Sequence, residues 1–139
     1  YAKGDCFIDP EIKKANDIDT AVINMTLKNG VLATIQNSRK AVYGYDQRIE
    51  VLGSKGTLIV GNKLLHGVIK GTKDGFTSAN PKNFFIDRYK ESYQIEIADF
   101  IRSLSGEAVD HAGVEDGLHA LKIGLAANKS LLQNKPIQL

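Results

Sequence analysis

The residues best suited to chemistry form one polar segment, residues 37–48, between two predicted strands. It combines amide, hydroxyl and guanidinium groups with two tyrosines, Tyr43 and Tyr45, on either side of Gly44. Loops that rigid strands hold in place often carry the groups that contact a ligand. Hydroxyls and amides beside aromatic rings suit a neutral polyol, because they donate and accept hydrogen bonds while a ring covers the sugar face. A solvated loop braced by an Arg–Asp pair is an equally good interpretation of the spacing.

Other motifs for catalysis or metal binding are weak or absent in the sequence. The three histidines have no ligand-like spacing, and the lone Cys6 has no basic neighbour that would favour its thiolate. There is no glycine-rich dinucleotide fingerprint, P-loop or nucleophile elbow, and residues 53–56 are predicted to form a hairpin turn. Asp17 and Asp19 are interpreted as a turn and strand entry rather than an acid–base pair. The chain by itself therefore predicts no catalytic residue, cofactor site or metal site.

Composition excludes several classes of partner. The 139 residues are 42% hydrophobic and 24% charged, which fits one ordinary soluble domain with a real core. A net charge of +2 provides no concentrated basic face, so we expect no nucleic-acid partner. No apolar run approaches the ~20 residues of a membrane-spanning helix, so we expect no membrane partner. A single cysteine cannot form an internal disulfide, which favours a reducing cytoplasm.

The elements that position the polar segment are strands first and helices last, which predicts an α+β fold. Alternating residues over 20–28 and 31–38 flank Asn29-Gly30, a strong hairpin signal. A two-residue loop there would place Ile23 opposite Gln36 and leave the second face of the sheet half apolar. Such a face is a candidate for contact with a partner. Further strands are predicted at 1–8, 48–52, 57–60 and 64–70, with an exposed loop at 71–83.

Two helices are predicted to follow the strands. Apolar residues recur at spacings of three and four from Phe85 to Leu104, and Gly106 stands where the first helix should end. A second apolar stripe extends from Val114 to Leu132.

Several stretches of the chain resemble the C-terminal domain of the glucose–fructose oxidoreductase / inositol dehydrogenase / MocA-type family. In the strand region the resemblance is fairly specific to the inositol-type members, whereas in the helices it is generic to the family. It covers essentially the whole chain. The residues that carry it are 17–21, 29–30, 37–56, 85–89, 96, 100 and 115–121.

The resemblance implies that residues 1–139 are a C-terminal substrate and oligomerisation domain. Its fold would be α+β, an open and mostly antiparallel sheet with two C-terminal helices packed on one face. The other sheet face would make subunit contacts in a homo-oligomer. A Rossmann domain that binds NAD would precede Tyr1, together with the family's proton-relay residues, so the chain is expected to be a fragment that is inactive alone.

For the complete enzyme, the resemblance implies oxidation of myo-inositol to the 2-ketone, with hydride passed to NAD⁺. Two alternatives stay open: a related enzyme of the family that acts on another sugar, and a non-catalytic module that dimerises through its sheet.

Residue by residue, the resemblance implies one substrate contact. Tyr43 matches a tyrosine that reaches the substrate in inositol-type members, where it would hydrogen-bond a ring hydroxyl and help to fix which carbon faces the nicotinamide. Arg39, Tyr45, Asp46 and Gln47 lie nearby in the sequence. For these four, bracing of the loop is at least as good an interpretation as substrate contact.

Overall fold

Strands and helices of the computed structural model, which describes all 139 residues, fall into two units. Unit 1 comprises residues 1–40 and 112–139, and unit 2 comprises residues 41–111. Each unit contains antiparallel strands and one of the two long C-terminal helices. The predicted α+β class, with antiparallel pairing and two C-terminal helices, is confirmed. The strands are distributed over three hydrogen-bonded sheets, one in unit 1 and two in unit 2.

In chain order the elements are β1 (Ala2–Asp5), α1 (Pro10–Lys14), β2 (Thr20–Thr26), β3 (Leu32–Ser38), β4 (Ile49–Gly53), β5 (Gly56–Val60), β6 (Ile69–Thr72), β7 (Gly75–Ser78), α2 (Phe85–Leu104) and α3 (Val114–Gln133). Neither 20-residue helix contains an apolar stretch of the kind that crosses a bilayer.

The β2–β3 hairpin is present, but its register differs from the predicted one. Its loop is residues 28–30, and Gly30 adopts a left-handed φ of +84°. Ile23 therefore pairs with Ile35, where the two-residue loop would have placed Gln36. A three-residue loop that ends in a left-handed glycine adds one residue to the connection and shifts the pairing by one. The predicted register was wrong for this reason.

Although Val22 and Leu32 lie exposed on the opposite face, the actual register collects the other apolar side chains of the hairpin on one face. Ile23 and Met25 lie on that face and, with Ile123 and Ala126 of α3, line a small cavity between sheet and helix. On the other face polar groups dominate; for example, Thr34 donates a hydrogen bond of 2.8 Å to Asn24. The expectation that this second face is half apolar was therefore wrong.

Helix α3 meets the sheet through Ile123, Ala126 and Ser130 rather than through its predicted apolar stripe. Ser130 is buried, and its hydroxyl accepts from the Ala2 N–H at 2.9 Å and donates to the Lys135 carbonyl at 2.7 Å. Small side chains allow a helix and a sheet to approach closely enough for such bonds. The stripe itself is exposed, and its members are Val114, Leu118, Leu121, Leu125 and Leu132.

A buried carboxylate, that of Asp19, holds the segment between β1 and α1. Asp19 is 5% exposed and accepts backbone N–H bonds from Phe7, Ile8 and Asp9 at 2.9, 2.7 and 3.0 Å. Burial acts to raise the pKa of Asp19, but these bonds outweigh it and hold the pKa well below its usual range. Burial and the nearby Asp19 carboxylate raise the pKa of the Cys6 thiol. Cys6 is therefore held as a thiol, as its sequence context predicts.

The short helix α1 was not predicted, although its start signals are in the sequence. The Asp9 side chain accepts from the Glu11 N–H at 3.0 Å, and Pro10 occupies the first helical position. Asp before Pro is a common way to begin a helix. These two residues directly follow the strand predicted at 1–8.

In unit 2, the β4–β5 hairpin and helix α2 lie where they were predicted, and Gly106, at φ +82°, follows the end of the helix. The β6–β7 hairpin corrects the prediction of an exposed loop over 71–83. Its turn contains Asp74-Gly75, a hairpin signal that the many polar residues around it obscured. The strand predicted over 64–70 is correct only for its last two residues.

Candidate functional site

The polar segment links β3 to β4, and from Ala41 onward it belongs to unit 2. Arg39 lies before this point in unit 1, where its backbone N–H donates to the Asp19 carbonyl at 2.7 Å. The structure therefore gathers four of the five sequence-selected residues, Tyr43 and residues 45–47, in one unit and leaves Arg39 in the other.

Tyr43 and Asp46 form a side-chain pair within the loop. The Tyr43 hydroxyl donates a hydrogen bond to the Asp46 carboxylate. This bond, burial and the charge of Asp46 raise the pKa of the Tyr43 phenol. Tyr43 as a whole is nonetheless 44% exposed, so the residue lies at the surface of its unit.

Asp46 is the centre of a larger network. Its carboxylate accepts from Arg48 Nε at 2.8 Å and Nη2 at 3.0 Å, and from Asn62 Nδ2 at 2.8 Å. The bonds from Arg48, Tyr43 and Asn62 lower the pKa of Asp46 to about 2. Asp46 is therefore ionised at neutral pH. The Arg–Asp pair of the bracing interpretation is thus present, and it involves Arg48.

Sequence reasoning missed Asn62, which joins the loop to the far end of the β4–β5 hairpin. Its side-chain oxygen accepts from the Gln47 N–H at 2.9 Å. Ile49 pairs with Val60, so continuation of the same register by two residues brings Gln47 opposite Asn62. The hairpin turn predicted at 53–56 implies this register, so the position of Asn62 opposite Gln47 could have been predicted from the sequence.

Gly44 and Tyr45 fix the loop against the segment that precedes α2. Gly44 has φ +137°, and a Cβ there would lie 2.7 Å from the Pro81 carbonyl oxygen. The Tyr45 N–H donates to the Lys82 carbonyl at 2.8 Å. The Tyr45 ring meets the ring of Tyr89 edge-on, with centroids 5.8 Å apart. Burial and the neighbouring Tyr45 raise the pKa of Tyr89.

These contacts make the loop suited to binding and orientation rather than to proton transfer. The Tyr43 hydroxyl donates its proton in a hydrogen bond to Asp46. The lone pairs of the phenol oxygen can therefore accept a hydrogen bond from a ligand hydroxyl. A phenol with a raised pKa is a poor general base at neutral pH. The substrate contact of Tyr43 stays a prediction.

Comparisons with known proteins identify the fold and the family. A sequence model described as "Oxidoreductase family, C-terminal alpha/beta domain" matches residues 6–139. The myo-inositol 2-dehydrogenase of Thermotoga maritima is 44% identical over 140 residues, which cover 100% of this chain and 42% of that protein. A more distant relative from Bacillus subtilis, 26% identical over 94% of this chain and 38% of its own length, is named scyllo-inositol 2-dehydrogenase (NAD(+)).

A solved structure of a myo-inositol dehydrogenase from Corynebacterium glutamicum superimposes with a TM-score of 0.92 at 32% identity. The match covers 99% of this chain and 42% of that one. The chain thus spans about two-fifths of the length of its relatives. Because the family model and the superposition both extend over nearly the entire chain, the chain belongs to the C-terminal domain of the glucose–fructose oxidoreductase / inositol dehydrogenase / MocA-type oxidoreductase family.

Proposed function

We propose that this chain is the substrate-contacting part of an NAD-dependent inositol 2-dehydrogenase, which oxidises myo-inositol to its 2-ketone, scyllo-inosose. The observation that carries the proposal is the 44% identity with a myo-inositol 2-dehydrogenase over the full length of the chain. The matched region covers the whole chain and so includes the loop that holds Tyr43.

Tyr43 is the residue we propose to contact the substrate. Tyr43 is 44% exposed, and its phenol oxygen can accept a hydrogen bond from a ring hydroxyl while the phenol proton is donated to the Asp46 carboxylate. A fixed acceptor at one hydroxyl helps to orient the ring, because an inositol is rigid and carries a hydroxyl on every carbon. Orientation of this kind would decide which carbon is oxidised.

The NAD site is proposed to lie outside these 139 residues. All strand pairs here are antiparallel hairpin or edge pairs, whereas a dinucleotide site needs a parallel βαβ unit with a glycine-rich turn. The residues present therefore do not fit NAD. We propose an N-terminal Rossmann domain in the same polypeptide, a cytoplasmic location, and no activity for this chain alone.

The mass of the native polypeptide in its source cell tests this domain arrangement. A band more than twice the 15.2 kDa of this chain, detected with an antibody to it, is expected. A native band at 15.2 kDa would contradict the arrangement and favour the non-catalytic module.

We further propose that the β4–β5 hairpin makes subunit contacts. One face of this two-stranded sheet is entirely apolar and open, with Ile49, Val51, Leu58 and Val60 between 48% and 72% exposed. A two-stranded sheet with an uncovered apolar face has little stability of its own. Leu58→Lys should lower the oligomeric state of the complete protein in sedimentation velocity, whereas Thr57→Lys on the opposite face should not.

A substrate panel tests the proposed substrate against its closest competitors. The name of the Bacillus subtilis relative makes scyllo-inositol the first alternative, followed by neutral sugars such as glucose. With the complete protein and NAD⁺, myo-inositol should give the highest kcat/KM for formation of NADH. Turnover of a sugar with none of any inositol would overturn the proposal.

A further inference from the structure

Arg88, in the first turn of α2, is a buried cation without an acidic partner. Its side chain is 8% exposed, and its Nε is buried without a hydrogen-bond partner. None of the five ion pairs of the chain includes it. On its own helix its guanidinium lies over the ring of Tyr89, whose centroid is 5.4 Å from the guanidinium carbon. A buried charge is costly unless a charged or strongly polar group compensates it.

Arg88 lines an open cavity of about 360 Å³ in unit 2. A cavity of this size accommodates a small ligand. Four cations line it against two carboxylates, so it has an excess of positive charge. The lining residues are Lys63, Lys82, Asp87, Arg88, Lys90, Glu91 and Gln94.

The two carboxylates do not neutralise the cations around Arg88. Glu91 is occupied by Lys63 at 2.6 Å, and this ion pair lowers the pKa of Glu91. Lys82 Nζ donates at 3.1 Å to the backbone carbonyl of Asp87, which is a neutral acceptor. Lys90 is in no ion pair. Arg88, Lys82 and Lys90 therefore each lack a carboxylate within ion-pair distance.

We propose that this cavity binds a small free oxyanion, such as a phosphate or carboxylate compound, with Arg88 as the principal ligand and Lys82 and Lys90 as secondary cations. The planar guanidinium presents parallel N–H donors that match two oxygens of a phosphate or carboxylate group. A bound oxyanion would supply the charge and the hydrogen-bond acceptor that Arg88 lacks. The proposal does not depend on the identity of the substrate at Tyr43.

The cavity is joined to the Tyr43 loop by two contacts. The Lys82 backbone carbonyl accepts from the Tyr45 N–H, and the ring of Tyr89 contacts both Arg88 and Tyr45. An anion that orders Lys82 and Arg88 therefore stabilises the two supports of the loop.

The test is titration of the complete protein with inorganic phosphate, with chloride exchanged to keep the ionic strength constant. Isothermal titration calorimetry measures binding, and the thermal midpoint of unfolding measures stabilisation, which increases with ligand concentration over Kd. Wild type should bind phosphate saturably. Arg88→Met should bind at least tenfold more weakly and lose the phosphate-dependent rise in midpoint. Arg102→Met is the matched control, because Arg102 lies on the same helix but is paired with Asp99 and Glu107 at the surface.

Arg88→Lys serves as the second variant and keeps the test valid if Arg88→Met does not fold. It retains the charge but loses the paired donors, so phosphate binding should weaken severalfold. Saturable binding that Arg88→Met or Arg88→Lys leaves unchanged would overturn the proposal. The absence of saturable phosphate binding by wild type would also overturn it. If Arg88→Met then also lowered the thermal midpoint of unfolding in chloride, the occupant of the cavity would be an acidic side chain of the protein itself.

Discussion

The phenol of Tyr43 donates its hydrogen bond to the carboxylate of Asp46, three residues further along the same loop. Arg48 and Asn62 occupy the remaining positions around that carboxylate. The orientation of Tyr43 therefore depends on Asp46, whose carboxylate has no free position at which to accept a hydrogen bond from a ligand.

Asp46→Asn should disturb Tyr43 without removing it. The substitution loses the Arg48 ion pair and weakens the acceptor of the Tyr43 proton, at a cost of about 1 kcal/mol or more in stability of the loop. In the complete protein, we expect KM for the polyol to rise more than kcat falls. Asp99→Asn, which breaks a surface ion pair with Arg102, is the control and should leave both constants unchanged. Equal effects of the two variants would refute a positioning role for Asp46.

The stability of the loop should depend on pH in the acid range. The folded pKa of Asp46, about 2, lies below the unfolded value of about 3.9. The carboxylate therefore contributes its full stabilisation above about pH 4 and loses it as the pH falls through 2. The protection factor of the Gln47 amide, which is bonded to Asn62, should fall over this range in wild type and show a flatter profile in Asp46→Asn. An identical pH profile in the two proteins would count against the assignment.

Gly44→Ala should open the contact between the loop and the segment before α2. The position combines φ +137° with a carbonyl oxygen 2.7 Å from the site of a Cβ, so the substitution adds backbone strain of roughly 1–3 kcal/mol and a clash. The Tyr45 amide, which bonds Lys82, should then exchange faster in hydrogen–deuterium exchange. Gly61→Ala is the matched control, since open space surrounds that glycine. Similar exchange in both variants would show that the close approach is unimportant.

Asp19→Asn should release the segment between β1 and α1. The three backbone N–H groups of residues 7–9 would lose a charged acceptor, and charged acceptors make the stronger hydrogen bonds. We expect faster amide exchange at these residues and a thermal midpoint several degrees lower. Asp110→Asn, at an exposed position, provides the comparison. Unchanged protection of residues 7–9 would contradict the role of Asp19.

Local patterns predicted the elements whose signals lie within a few residues. The three- and four-residue spacing from Phe85 to Leu104 gave helix α2, and the alternating pattern with Asn29-Gly30 gave the β2–β3 hairpin. The register of that hairpin was missed because Asn-Gly fits loops of two or three residues, and only the backbone at Gly30 decides between them.

Features that depend on residues distant in the sequence could not be predicted from local patterns. Asp19 is adjacent to a strand in sequence, but its role arises from N–H groups ten to twelve residues earlier. Ser130 is the buried contact of α3 because only a small residue lets the helix reach β1. The leucine spacing instead predicted that the leucine stripe would be the buried face. At the candidate site, the sequence singled out the loop, but it could not assign Asp46 its partners because Asn62 reaches it only through the β4–β5 pairing.

The most direct measurement of the central claim compares kcat/KM for myo-inositol between the complete wild-type protein and its Tyr43→Phe variant, with NAD⁺ saturating. The variant keeps the ring and removes only the hydroxyl. We expect measurable oxidation by wild type and a loss in the variant on the order of 1 kcal/mol, about fivefold, from one missing substrate hydrogen bond. No oxidation by wild type, or equal kcat/KM in the two proteins, would contradict it.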